Sequence, residues 1–444
     1  MKEKKSAFSS VNQRPEALQR PRSLLIRGGH VIDPANQLNG VSDLFLRDGK
    51  VAAIGPKLKE HAEETIDARG WIVAPGFIDM HVHLREPGQA HKETIATGTA
   101  AAAAGGFTSV CAMPNTQPVN DSAEITEWMQ SPERGAVVNV FPIAAATLGS
   151  QGERLSDFAA LRQAGAVGVS DDGKPILEDT VMQEALETAR RIGFPVIQHA
   201  EDTRLTAGAQ MNAGSVSFRL GLRGMPVEGE AGIVRRDIDL AKKTGAHIHV
   251  AHISTAAAVD EVRRAKREGV NVTCEVTPHH FVLTDEAVAG YDTRYKMNPP
   301  LRTEADRQAM LTGLEDGTID AIATDHAPHS HHEKMVEFDR AAFGITGLET
   351  ALGLAISELQ KRKIPLARII ELLATNPGRI LSLGGRGRLS AGSPADVTIF
   401  DPKKQWTFDW KQSLSKSKNT PFGGWKLTGK VMATIVGGVV VYED

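Results

Sequence analysis

Two histidines one residue apart, His81 and His83, followed at the same spacing by Arg85, are the residues of this chain best placed to do chemistry. Side chains alternate along an extended strand, so all three point to one side. Neutral imidazoles set that way can share one divalent cation. A guanidinium beside them can grip an anion through paired charge-assisted hydrogen bonds. Pro87-Gly88 then breaks the strand just past the site. An isolated HxH reads first as two ordinary histidines on a half-buried strand. Arg85 moves the reading to a metal site with a clamp for an anionic substrate.

The other ionisable groups collect where apolar segments end. One closes in Met113-Pro114-Asn115, another in Ser170-Asp171-Asp172-Gly173, others in Gln198-His199-Ala200-Glu201-Asp202 and His252-Ile253-Ser254-Thr255, and two more in Thr277-Pro278-His279-His280 and Asp325-His326-Ala327-Pro328-His329. Scattered histidines would not all terminate apolar strands. His81, His83, His199, His252 and Asp325 therefore read together as a site, and four histidines with one or two carboxylates suit a pair of zinc ions sharing a bridging ligand. Such ions would acidify a water and polarise a carbonyl, and Asp325 would pass a proton from that water to a leaving nitrogen. Asp171 and Asp172 are neighbours and point apart, so only one can face the metals. His247 and His249 form a second HxH that precedes His252, and they read as lying below the site or on the outer face. For His279 and His280, which follow a proline, a structural role stands beside a ligand role. His91, His331 and His332 read as solvated.

Positioning these groups takes repeated strand–helix units. Strand patterns run to His81 and over residues 107–113, 138–145, 167–170, 195–199, 247–253, 271–276 and 321–324, eight in all. Helical stretches at 94–104, 181–191, 233–243 and 256–268 fall between several of them, the first stopping at Gly105-Gly106. Units of this kind and number imply an α/β fold, a parallel (β/α)₈ TIM barrel whose chemistry lies at the C-terminal strand ends. Both chain ends have a different texture. Short strands at 24–27, 30–33, 43–48 and 50–54 return as 395–400, 431–436 and 439–442, with Asp48-Gly49 and Gly437-Gly438 as turns. The expected organisation is a tail over 1–22, a small β-sandwich domain from 23–74 plus 386–444, and a catalytic barrel over 75–385.

A length of 444 residues allows a large barrel with an accessory domain, and a formal charge of -3 makes no electrostatic case for nucleic acid or an anionic membrane surface. No apolar run approaches the roughly 18 residues of a membrane span. Cys111 and Cys274, the only cysteines, sit in apolar runs and lack zinc-thiolate spacing, so they read as reduced core thiols of a cytoplasmic protein.

From about residue 23 onward the chain resembles the amidohydrolase superfamily and, within it, the type I bacterial dihydroorotases of pyrimidine biosynthesis. The motifs that carry the resemblance are DMHVHLREPG at 79–88, MPNT at 113–116, Asp171-Asp172-Gly173, TPHH at 277–280, KMNPPLR at 296–302, ATDHAPH at 323–329 and Phe343-Gly344-Ile345. It implies His81 and His83 as ligands of one zinc, His199 and His252 of the other, Asp172 between them and Asp325 as metal-bound acid/base. It also implies Arg85, Asn115 and His329 on the substrate carboxylate, and Asn298 with the Phe343-Gly344 backbone on the ring. Ala200 stands where the family more often has cysteine, at a non-ligand position. The implied reaction is reversible closure of N-carbamoyl-L-aspartate to (S)-dihydroorotate. A homodimer and association with aspartate carbamoyltransferase are the implied partnerships, and residues 330–338 are the expected covering loop.

Two alternatives stand beside this. A dihydropyrimidinase, hydantoinase or allantoinase would mostly carry a carboxylated lysine between its metals, whereas the fourth strand here offers Asp172, with Lys174 beyond its end. An inactive scaffold subunit of aspartate carbamoyltransferase would have lost ligands, and every ligand position here is filled.

Overall fold

The computed structural model describes residues 22–444 together with the backbone of Ser10 and Val11. Eight parallel strands follow one another around a nearly closed barrel: Phe77–Val82, Phe107–Ala112, Asn139–Ala144, Gly168–Val169, Val196–Gln198, Ile248–Val250, Val272–Val276 and Ala321–Ile322. Between the first and eighth strands the seam is drawn together by polar contacts. His83 N–H donates to His326 C=O (2.9 Å), and buried Asp79 accepts from the N–H groups of His81 and Thr324, each at 3.1 Å. Asp79 thus belongs to the barrel's closure and pins the loop that carries Asp325.

Helices cover the barrel as their sequences dictate. The alanine-rich helix Ile95–Ala104 is capped by Thr94, whose hydroxyl accepts from Thr97 N–H (3.0 Å), and it ends at Gly105. Helices Asp179–Ile192, Glu228–Thr244 and Ala256–Arg267 each bury an apolar stripe against the strands. Among the described residues no helix is long and apolar enough to cross a membrane.

Strands from both chain ends form a separate sheet. Ser23–Asp33 lies between Leu38–Arg47 and Ile72–Pro75, and the latter pairs with Val397–Thr407 from the other end of the chain. The two strands expected at 24–27 and 30–33 are one strand, because Gly28-Gly29 forms a bulge within it instead of ending it. Both expected hairpin turns are present. Asp48 and Gly49, and again Gly437 and Gly438, have positive φ, as the tight turns that match strand twist require. Ser10–Val11 pairs with the last strand at Glu443 and Tyr442, so these two residues depart from the expected tail, whose remainder up to residue 21 lies outside the described residues.

The sheet packs on the barrel through a shared core. Phe77 at the start of the first barrel strand stacks between Phe107 and Phe400, with ring centroids 6.1 and 6.0 Å away. Emptying that position would cost about 3–5 kcal/mol. Cys111 and Cys274 are free and buried, as the sequence implied.

Candidate active site

The first strand delivers His81 and His83 to the C-terminal mouth of the barrel, side by side as the alternation requires. His81 is completely buried. Its Nε2 faces Asp172 Oδ1 at 3.4 Å and Asp325 Oδ1 at 3.7 Å, and its Nδ1 lies 3.1 Å from Glu275 Oε1. His83 Nε2 lies 2.9 Å from Asp325 Oδ1, and its Nδ1 lies 2.8 Å from Asn115 Oδ1. Across the mouth, His199 Nδ1 and His252 Nε2 stand 3.0 Å apart, and Asp172 Oδ1 is 3.5 Å from the former and 3.7 Å from the latter.

Imidazole nitrogens directed at one another around carboxylate oxygens are the donor set of a cation site. His81, His83 and Asp325 form one group that could hold a metal, and His81, Asp172 and His252 form a second. The unfilled valence lies at the same place. His81 Nε2 and Asp172 Oδ1 are buried and have no hydrogen-bond partner among the described residues, an arrangement that is costly unless a cation satisfies both atoms. The charges agree. Burial opposes a charged His81, yet Asp172 and Asp325 hold its proton in place well above the usual imidazole range. Burial likewise opposes ionised Asp172, but His81, His199 and His252 hold it well below the ordinary carboxylate range. A bound cation would take over the role of those protons. These residues fit a metal.

Above this cluster is a cavity of about 200 Å³, lined by His83, Arg85, Asn115, Asp172, Gly173, His199, His252, Asn298, Asp325, Ala327, His329, Phe343 and Gly344. Apart from His81, which lies beneath the surface, every residue the sequence nominates for the site lines it. Arg85 is buried, with Nε donating to Pro328 C=O (3.1 Å) and Nη2 lying 3.3 Å from His329 Nε2, while Nη1 carries no bond among the described residues. Burial and the neighbouring Arg85 and Lys92 charges press His329 down to about 2, so it stays a neutral acceptor beside the guanidinium. Arg85, His252 and Asp325 all have positive φ (62°, 31° and 46°). Non-glycine residues seldom adopt that region, and they tend to cluster where a site imposes it.

Several residues have duties the sequence did not show. Asn115 bridges His83 and Asp172, donating from Nδ2 to Asp172 Oδ2 (3.0 Å), so it ties the two halves of the cluster together. Gly344 N–H donates to Lys296 C=O (2.9 Å), and among the described residues the Phe343 backbone has no partner, so it is the open polar edge of that corner. Gly344 also has φ +133°, and a Cβ there would stand 2.7 Å from Ala327 Cβ. Asn298 donates to Glu201 Oε2 (2.8 Å), which also lies 3.0 Å from His199 Nε2. Burial would raise Glu275, but contacts from His249 and His81 hold it down at about 2. A glutamate inside the apolar strand Val272–Val276 was the available signal for it.

The remaining candidates separate as the sequence suggested. Asp171 turns away to Thr147, accepting from its N–H at 3.0 Å. His280 is structural, held between Thr277 Oγ1 (2.7 Å) and Pro299 C=O (2.9 Å). His91, His331, His332 and Lys174 are exposed. In the segment 330–338, His331–Lys334 forms a short helix, and Lys334 is buried, donating to the carbonyls of Lys296, Ala342 and Gly344.

A family model described as dihydro-orotase-like matches residues 70–258. A dihydroorotase of Solibacter usitatus is 54% identical over 417 residues, 94% of this chain and 97% of that protein. One from a Geobacter species is 51% identical, covering 95% of this chain and 99% of that protein. The chain belongs to the dihydroorotase family. Its activity is that of a dihydroorotase, a cyclic amidohydrolase. Among solved structures, an L-hydantoinase (dihydropyrimidinase) from Arthrobacter aurescens superimposes with a TM-score of 0.84 at 25% identity, covering 94% of this chain and 95% of its own. The fold is therefore shared with hydantoinases, while near-full-length identity of about half lies with dihydroorotases.

Proposed function

We propose that the cavity closes N-carbamoyl-L-aspartate to (S)-dihydroorotate, and reopens it, with two zinc ions held by His81, His83, Asp172, His199, His252 and Asp325. The observation that carries this reading is Arg85, a buried guanidinium with an unused Nη1, in the same small cavity as the imidazole–carboxylate cluster. A ring hydrolase for uncharged substrates has no use for a buried positive charge there. When bound, the ions supply Lewis acidity toward a carbonyl and toward water.

The chain's own residues supply the rest. Arg85, with His329 beside it, holds the substrate carboxylate and so orients the ring. The Phe343 backbone and Asn298 stand along the cavity wall, where ring amide groups would need partners. Burial disfavours ionised Asp325, but the His83 contact and the nearby imidazoles keep it well below the usual carboxylate range, so it is an acceptor at neutral pH. In the hydrolytic direction Asp325 takes the proton of the attacking water and delivers it to the departing ring nitrogen, and in the synthetic direction it does the reverse. Asn115 keeps His83 and Asp172 in fixed relation throughout. Asp172 provides the charge that a carboxylated lysine provides elsewhere.

Turnover of the zinc-loaded protein with dihydroorotate, dihydrouracil, hydantoin and allantoin tests the reading. Dihydroorotate alone should turn over efficiently, and preference for a ring without a carboxylate would overturn it. The same reading carries a cytoplasmic homodimer and contact with aspartate carbamoyltransferase, to be checked by light scattering and by cross-linking at cellular concentrations.

A further inference from the structure

A row of buried polar groups runs down from the site into the barrel interior. Glu275, completely buried, lies 3.1 Å through Oε1 from His81 Nδ1 and 3.2 Å through Oε2 from His249 Nε2. Neither His249 Nε2 nor Glu275 Oε2 has another hydrogen-bond partner among the described residues. On its other side, His249 Nδ1 is 2.7 Å from Thr273 Oγ1, which is also 2.8 Å from Nε2 of the half-buried His247.

The protons of this row can be assigned. A carboxylate only accepts, so both ring nitrogens that face Glu275 carry hydrogen. An imidazole that ligates through Nε2 has its single proton on Nδ1, and here that proton points at Glu275. With the ring proton of His249 on Nε2, its Nδ1 accepts from the Thr273 hydroxyl, and the hydroxyl lone pair takes the proton of His247 Nε2. Each donor then has one acceptor. We propose that Glu275 is a positioning residue of the site: it fixes the tautomer and rotation of His81 so that the Nε2 lone pair faces Asp172, and the row His249–Thr273–His247 holds Glu275 in place. This rests on His81 being a metal ligand. A carboxylate behind a ligating histidine raises its basicity, and losing such a partner typically weakens metal binding by about 10–100-fold.

The experiment is zinc affinity by competition with a chromophoric chelator, beside the unfolding temperature of the metal-free protein and the visible spectrum of the cobalt-loaded form. Glu275→Gln keeps the shape, and His249 can meet the amide by exchanging tautomers, so the fold is preserved while the charge is lost. The expected result is a loss of zinc affinity by about 10–100-fold with a shifted cobalt spectrum, alongside whatever metal-free stability the lost ion contacts cost. Affinity within about twofold of wild type together with a lowered unfolding temperature would make Glu275 merely structural and overturn the proposal. Should Glu275→Gln not fold, Thr273→Val, further along the row, carries the test: a smaller but measurable loss of affinity supports it, and none overturns it. A wild-type chain that takes up no zinc overturns both this and the metal site, and is recognised because the wild-type arm itself fails.

Discussion

Replacing Arg85 by methionine separates substrate recognition from the chemistry. Methionine keeps much of the aliphatic length but removes the guanidinium, whose Nε and Nη2 are committed to Pro328 and His329 and whose Nη1 has no partner among the described residues. If that group pairs with the substrate carboxylate inside a cavity of about 200 Å³, its loss leaves a buried anion unpaired. Truncating one member of such a pair costs about 2–5 kcal/mol. At 1.36 kcal/mol per tenfold, kcat/KM for dihydroorotate should fall by about 30- to 5,000-fold. The orphaned Pro328 carbonyl adds about 1 kcal/mol of destabilisation, which a denaturant midpoint would report separately. Any trace activity on hydantoin or dihydrouracil should change little. The assay is steady-state kinetics of zinc-loaded wild type and Arg85→Met on dihydroorotate and one uncharged ring. Equal losses on both would mean that Arg85 supports the site and does not bind the carboxylate.

Asp325→Asn should retain fold and at least one zinc, by metal analysis, while turnover falls by at least about 10²–10⁴-fold, since an amide cannot carry the proton; near wild-type rates would refute the assignment. Asp172→Ala should lose metal and activity, whereas Lys174→Ala, altering an exposed side chain, should keep both, and zinc reconstitution should need no bicarbonate; a carboxylated lysine found by mass spectrometry would contradict this. Buried Asp237, beside Arg236 and Gln198, is raised by burial from 3.8 to about 7. The folded state then holds a proton that the unfolded chain releases near pH 4, so this stability is full at low pH and lost as pH rises through 7. Asp237→Asn should match wild type near pH 4 and exceed it by a few kcal/mol, about 4 at most, at pH 8 in urea unfolding; a pH-independent difference would show that Asp237 is ionised throughout.

Period and punctuation alone made much of this protein legible. The eight barrel strands, the helix ending at Gly105 and the Asp48-Gly49 turn are local matters of alternation, capping and positive φ, all written in neighbouring residues. Candidate ligands were legible for the same reason. A barrel puts strand ends at one mouth, so a histidine or aspartate that ends an apolar run is already placed. Only the tertiary structure could decide pairings between residues distant in the chain. That Asn115 bridges His83 to Asp172, and that Glu275 stands behind His81 across 194 positions, depend on which strands are neighbours and how far each extends. Hydrogen bonds and charges act over a few ångströms of space, and sequence distance carries little of that information.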